Sequence, residues 1–282
     1  MESATITSHL MGGLGNQMFQ IAFAYCMSRR TGATLRFVRN QAGYLGAGSH
    51  PSKYYETLYR KLTLVDSLPI ATMHERDQNM PYDVVDHLRW MIPHYPGMAI
   101  SFEGYWQVYS YYREFKNEIR ELFTPAGGMT QYLGDVFVRF PELQEDNDFC
   151  FLGVRRGDYI RFADGANPCG MDYYTKAMRL ANKSRYYILT DDVPWCKEKF
   201  VGDQFRFLEI ADDLTQFMVS TLFHTYIISN STFYWWGSFM SMDPDAVTIA
   251  PGRWGGGPTI TLDKCHPIYR DTMSILDRAI EV

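Results

Sequence analysis

Apolar residues recur along this chain in two alternating periods. Residues 5–10, Thr-Ile-Thr-Ser-His-Leu, read as a short extended segment. Phe19, Ala22, Phe23 and Cys26 then follow at i, i+3, i+4 and i+7, the spacing of one helix face. The pattern predicts a strand over 5–10, a helix over 18–31 ended by Gly32, and a second strand over 35–38. Between them lies Gly12-Gly13-Leu14-Gly15-Asn16-Gln17, so the opening reads as one strand–glycine turn–helix–strand unit. Residues 41–96 are irregular, with a helix expected over 54–62. A strand is predicted at 99–103 and a helix at 110–123. From Asp148 onward the alternation becomes regular. Strands are predicted at 149–154, 185–189, 206–208, 226–229 and 247–250, and helices at 171–181, 193–200, 212–223 and 233–242. That is the pattern of an α/β protein with helices covering parallel sheets.

Composition narrows the class. The chain has 282 residues, 46% hydrophobic and 21% charged, enough to bury a substantial core as about two domains or one large one. A net charge of −5 argues against a general nucleic-acid or anionic-membrane binder. Five cysteines, odd in number and without C-x-x-C spacing, fit a reducing compartment better than a disulfide framework or a zinc site. No basic n-region and apolar run opens the chain, so a cytoplasmic, soluble protein is expected, with peripheral membrane association left open. Residues 216–242 lack Asp, Glu, Lys and Arg, but His224, Ser229, Asn230, Ser231, Thr232 and Gly237 divide them into pieces too short to span a bilayer. Aromatics make up 16% of the chain; a packed core is the expected use of most of them, including Trp235 and Trp236.

The polar residues that interrupt this pattern fall at strand ends, where a parallel sheet places its ligand. Gly13, Gly15, Asn16 and Gln17 open the first helix. Met18 stands where a dinucleotide fingerprint needs its third glycine, and no acidic residue follows in the second strand. The turn is either a bare tight turn or a phosphate cradle. Arg155-Arg156-Gly157-Asp158 follows a buried strand. Paired arginines offer planar forks that match phosphate oxygens, and Gly157 lets the backbone approach a ligand. An internal salt-bridge cluster is the alternative. Thr190-Asp191-Asp192 reads first as a helix cap or a support for the arginines, and second as a Mg²⁺ site. Asn230, Ser231 and Thr232 bring small polar groups to a helix entrance.

Taken in order, these segments resemble the α-1,2-fucosyltransferase family. Its N-terminal signature is similar to residues 12–20, its arginine motif to Arg155–Tyr159, and its Ser-Asp-Asp segment to Thr190-Asp191-Asp192 with Trp195-Cys196. Asn230–Phe233 with Trp235-Trp236-Gly237, Ala250-Pro251 with Trp254, and Gly104-Tyr105-Trp106-Gln107 also fit, collinearly from about residue 8 to 254. The resemblance implies a GT-B-like architecture of two Rossmann-like domains facing across a cleft: an acceptor-side domain over 1–145 and a GDP-sugar-binding domain over 146–282. It implies an inverting, metal-independent transfer of L-fucose from GDP-β-L-fucose to a glycan hydroxyl, α-1,2 to galactose. No cofactor or metal is expected; the partners are the GDP-sugar and the acceptor glycan, without nucleic acid or a membrane span. Arg155, Arg156, Asp158 and Asn16 are the expected catalytic residues. The donor set adds Gly13, Gly15, Gln17, Gly153, Asp191, Asp192, Asn230, Ser231 and Thr232. Asp158 and Asp164 are candidates for the base. Gly153 stands where the family usually has a histidine near the donor nucleotide. A transferase using another GDP-sugar and a silent sugar-binding module remain the alternatives.

Overall fold

The computed structural model describes residues 4–40, 48–76, 83–145, 148–160, 168–254 and 267–276. The chain divides into two compact units, Met1–Ala126 and Gly127–Val282. Residues 127–145, expected in the first half, therefore go with the second unit. Their side chains explain why: Arg139 donates to the Glu209 carbonyl at 3.0 Å, and Phe140 packs edge-on against Tyr187.

The first unit contains β1 (Thr5–Ser8), α1 (Leu14–Thr31), β2 (Thr34–Leu35), β3 (Phe37–Val38), β4 (Leu64–Val65), β5 (Ile70–His74), α2 (Val84–His94), β6 (Ala99–Glu103) and α3 (Lys116–Leu122). Its main sheet is parallel, in the order β2-β1-β6-β5; β3 and β4 form a separate parallel pair. The helix α1 begins at Leu14, four residues earlier than its apolar spacing predicts, with Gly13 as N-cap, so Gly15, Asn16 and Gln17 lie in its first turn. Gly32 ends it at φ 71°, a left-handed conformation open to glycine at little cost. α1 is buried on most of its surface; Phe23 stacks on Trp106 at 4.1 Å and meets Phe102 edge-on. The helix expected over 54–62 is a 3₁₀ turn, Pro51–Tyr54, followed by irregular turns. The 110–123 helix is broken into two 3₁₀ turns and the short α3.

The second unit contains α4 (Gly134–Arg139), β7 (Phe149–Val154), α5 (Met171–Ala181), β8 (Arg185–Thr190), α6 (Val193–Lys199), β9 (Phe205–Phe207), α7 (Asp213–Ser220), β10 (Thr225–Ile228), α8 (Thr232–Phe239), β11 (Val247–Pro251) and β12 (Met273–Leu276). Six parallel strands run in the order β12-β11-β10-β7-β8-β9. From β7 the chain builds outward through β8 and β9, then returns to place β10 on the other side of β7. This is the doubly wound nucleotide-binding order, and its switch point lies between β7 and β10.

Both faces of β7 are covered, as in an α/β sheet. Cys150, Leu152 and Val154 join Tyr173, Tyr174 and Ala177 of α5 in one cluster. On the opposite face Phe151 packs against Phe223, Tyr226 and Tyr234. The charge-free stretch 216–242 resolves into α7, β10 and α8. No described helix is long and apolar enough to cross a membrane. Trp235 and Trp236 are fully buried, and Trp235 donates its indole N–H to the Ile268 carbonyl at 2.9 Å.

Candidate functional site

In the second unit the sequence-predicted residues gather at the C-terminal ends of β7, β8 and β10. Adjacent strands bring them there: Gly153 pairs with Ile228 and Leu189, so Arg155, Asp191 and Asn230 leave neighbouring strands at about the same height. The two switch-point strands are then laced together. Ser229 donates its N–H to the Gly153 carbonyl at 3.0 Å, and the Arg155 N–H donates to the Ser229 hydroxyl at 3.2 Å.

Asp191 organises the arginine loop. One carboxylate oxygen accepts the Arg156 N–H at 2.8 Å, and the other accepts the Gly157 N–H at 3.1 Å and pairs with Arg155 Nε at 3.1 Å. A Cβ on Gly157 would sit 2.8 Å from that second oxygen. The close backbone approach expected toward a ligand is thus an approach to Asp191.

The two arginines have different surroundings. Arg155 is partly exposed, its Nε and Nη2 held by Asp158 Oδ1 at 3.0 and 2.9 Å. Burial alone would depress its guanidinium pKa, but Asp191 and Asp158 outweigh it, so the net shift is upward and the cation is secured. Arg156 is 7% exposed. Its guanidinium lies over the Trp195 ring at 3.8 Å and its Nε pairs with Asp192 at 3.4 Å. Asp192 also caps α6, accepting the Trp195 N–H at 3.2 Å through its other oxygen. Both functions expected of this carboxylate pair, capping and arginine support, are therefore present. Among the described residues no group of three His, Cys, Asp or Glu side chains is arranged to hold a metal ion.

Tyr159 lies beneath Arg155 and donates to the Asn230 carbonyl at 3.0 Å; burial, opposed by Arg155, pushes its pKa up to about 12. Asn230 is 3% exposed and Ser231 6%, whereas Thr232 at the start of α8 is half-buried. Ser231 is the N-cap of α8 and makes no side-chain capping bond. Gly153 is buried: a Cβ there would meet Tyr234 Cγ and Cδ2 at 2.6 Å. The Tyr234 hydroxyl donates to the Val154 and Leu189 carbonyls, at 3.2 and 3.0 Å, which fixes the ring in that space. Asp164, the other candidate base, lies outside the described residues.

In the first unit, Asn16 is half-buried on the first turn of α1, a helix with no acidic residue in that turn. Its Oδ1 accepts from Gln107 Nε2 at 3.1 Å. Gln17 is fully buried. It donates to the Gly12 and Ser49 carbonyls, both at 2.9 Å, and accepts from the Tyr59 hydroxyl at 3.3 Å. Gln17 is thus a brace for the glycine turn. Gly13 is covered on one side by Gly48, where a Cβ would come within 2.7 Å of the Gly13 Cα. Gly15 is buried within α1. Sequence motifs contained Trp195, Ser229 and Gln107 without assigning them a role, and did not include Glu75; the contacts of all four are with residues remote in sequence.

Each unit is a parallel α/β layer of Rossmann type, and the molecule is GT-B-like. The same architecture occurs in the fucosyltransferase NodZ from Bradyrhizobium, with a TM-score of 0.54 at 12% identity over 86% of this chain and 94% of that one. A second NodZ structure, an α-1,6-fucosyltransferase co-crystallised with GDP, gives 0.52 at 13% identity over 86% and 93%. An α-1,2-colitosyltransferase of Escherichia coli is 25% identical over 281 residues, spanning 88% of this chain and 92% of that protein. The galactoside 2-α-L-fucosyltransferase Sec1 of Mus musculus is 25% identical over 209 residues, 70% of this chain and 52% of that protein. Residues 3–271, which include both the Asn16 turn and the arginine loop at the switch point, match the model of glycosyl transferase family 11, the family to which this chain belongs.

Proposed function

We propose that the protein transfers L-fucose from GDP-β-L-fucose to a hydroxyl of an acceptor glycan, with inversion, forming an α-1,2 linkage to galactose. The observation that carries this reading is the arginine loop at the β7/β10 switch point, its guanidinium groups aimed by three carboxylates. That is where a doubly wound sheet takes a nucleotide. NodZ with GDP and Sec1 as a galactoside fucosyltransferase support the donor and the linkage.

The chemistry follows from charge. Cleaving the sugar–phosphate bond leaves positive charge on the ring and negative charge on the departing diphosphate. Donors already in place for that charge lower the barrier, each by about 2–4 kcal/mol. Arg155, partly exposed and held by Asp158 and Asp191, is assigned the diphosphate oxygens. Arg156, stacked on Trp195, supports the loop and adds to the positive field. Thr232 and the first turn of α8 are assigned to the nucleotide's phosphate end. Asp158 is engaged by Arg155, which suits it to aiming that cation better than to removing a proton. No metal or other cofactor is assigned.

A second reading has its own support, the colitosyltransferase relative. Colitose is fucose without one ring hydroxyl, so the leaving group and its arginine contacts would be the same. Incubation with GDP-fucose and GDP-colitose in competition, over a panel of galactosides, followed by linkage mapping of the product by NMR, tests both. Fucosylation of O2 of galactose supports the first reading, preferential use of GDP-colitose replaces it with the second, and no turnover of any GDP-sugar overturns both.

A further inference from the structure

Arg155 is gripped along one edge. Asp158 Oδ1 accepts from its Nε and Nη2 at 3.0 and 2.9 Å, and Asp191 pairs with the same Nε at 3.1 Å. Among the described residues nothing engages Nη1. A planar group held along a single edge can still pivot about that edge, and each pivot changes where its remaining N–H groups point. The two carboxylates therefore fix the place of the guanidinium and leave its tilt to other contacts.

Tyr159 supplies one. Its ring lies under the guanidinium, with Arg155 Cζ 5.6 Å from the ring centroid, within the range of cation–π attraction. The ring is itself fixed from two directions. In the backbone, the Ile160 N–H donates to the Arg156 carbonyl at 3.0 Å and closes one turn around Tyr159. At the far end of the side chain, the hydroxyl donates to the Asn230 carbonyl at 3.0 Å. Burial, opposed by Arg155, pushes the pKa of that hydroxyl up to about 12, so it keeps its proton and donates at neutral pH. The start of the loop is anchored next door, where the Arg155 N–H donates to the Ser229 hydroxyl at 3.2 Å. Both ends of the arginine loop are thus tied to consecutive residues of the turn between β10 and α8.

We propose that Tyr159 is a positioning residue for Arg155: its ring limits the pivot of the guanidinium, and its hydroxyl fixes that ring to the turn before α8. The proposal rests on the assignment of Arg155 to the diphosphate. It has a consequence that packing alone does not produce. The diphosphate gains negative charge as the sugar–phosphate bond breaks. A mis-tilted Arg155 therefore costs more in the transition state and in bound GDP than in bound GDP-fucose. Tyr159→Phe keeps the ring and loses its tether. Tyr159→Leu loses both.

The test measures kcat and KM for GDP-fucose, the Kd of GDP by calorimetry, and the melting temperature. Tyr159→Phe and Tyr159→Leu are each made in the wild-type and Arg155→Lys backgrounds. Tyr159→Phe is expected to lower kcat about fivefold, and Tyr159→Leu about fiftyfold. GDP affinity falls in the same order, while KM for GDP-fucose changes by less than about twofold. In Arg155→Lys both further losses shrink to less than about twofold, since a residue acting only through the arginine fork is non-additive with its removal. Equal losses in both Arg155 backgrounds would overturn the proposal. So would wild-type kcat and GDP affinity in Tyr159→Leu, a rise in KM with kcat unchanged, or losses that track melting temperature alone. Should Tyr159→Leu fail to fold, Tyr159→Phe carries the same comparisons. Wild-type activity and GDP affinity in Arg155→Lys would overturn the proposal together with the assignment of Arg155. A wild type that binds GDP but turns over no GDP-sugar fails the functional reading, and the GDP titrations still decide the positioning role; one that does neither overturns both.

Discussion

Replacing Gly153 by alanine adds one methyl group at a place where the structure has no room for it. Gly153 lies in the central strand β7, paired on both sides, and its φ is not in the left-handed range. In open space such a substitution would stabilise the protein by about 0.4–1 kcal/mol, by restricting the unfolded chain. Here the new Cβ meets Tyr234 Cγ and Cδ2 at 2.6 Å and Cδ1 at 3.0 Å. The ring cannot swing away freely. Its hydroxyl is bonded to two carbonyls, and its faces and edges meet Phe151 and Phe233. Overpacking of this kind costs about 1–3 kcal/mol and outweighs the entropic gain. We expect a net loss of roughly 1–2 kcal/mol. For a unit of this size that lowers the melting temperature by roughly 2–8 °C. Gly153→His, which adds a still larger side chain, is expected to be worse, and to weaken GDP binding rather than tighten it. Tyr234→Ala empties the space at a cost of about 3–5 kcal/mol for the lost ring. In that background Gly153→His is expected to be neutral or stabilising. Thermal melts of the four variants in the Gly153/Tyr234 cycle, with calorimetric GDP titrations alongside, read the coupling. A melting temperature for Gly153→Ala at or above wild type, or strictly additive effects of Gly153→His and Tyr234→Ala, would refute the reasoning.

Arg155→Lys removes the fork that reaches Asp158 and Asp191; we expect at least about a hundredfold loss of kcat with an unchanged melting temperature, measured by transfer assay and thermal scan. Arg156→Lys gives up a stacked contact with Trp195 worth about 0.5–2 kcal/mol, so it should lower the melting temperature as well as activity. Asp191→Ala strips the acceptor from the Arg156 and Gly157 N–H groups, at about 1–3 kcal/mol for each group left unsatisfied; differential scanning calorimetry should show a markedly less stable protein, with transfer abolished. Transfer should persist in excess EDTA, since the oxygens of Asp191 and Asp192 are already engaged by backbone N–H groups and arginines. Strict dependence on added Mg²⁺ or Mn²⁺ would reassign those two carboxylates.

Local pattern and distant pairing contributed differently to this molecule. Apolar spacing identified β1, α1, the Gly32 cap and nearly every element from β7 to β11, because period and capping depend on residues a few positions apart; the single strand expected over 35–38 is instead split between β2 and β3, in different sheets. It missed β4, β5, α2, α4 and β12. It also drew residues 54–62 as a helix where long-range contacts hold irregular turns, among them Tyr59 bonded to Gln17. The ordered motifs pointed to the family, and the arginine pair to an anion. Only the tertiary structure decided that β10 lies beside β7, which carries Ser229 to Arg155 across 74 residues of chain. The same holds for the carboxylate of Asp191 under the arginine loop, the ring of Tyr234 in the space above Gly153, and Gln107 on Asn16 across 91 residues. Those pairings follow from which strands and turns are neighbours in the folded sheet. Spacing along the chain carries no record of that adjacency, because it is settled by the packing of whole elements against one another.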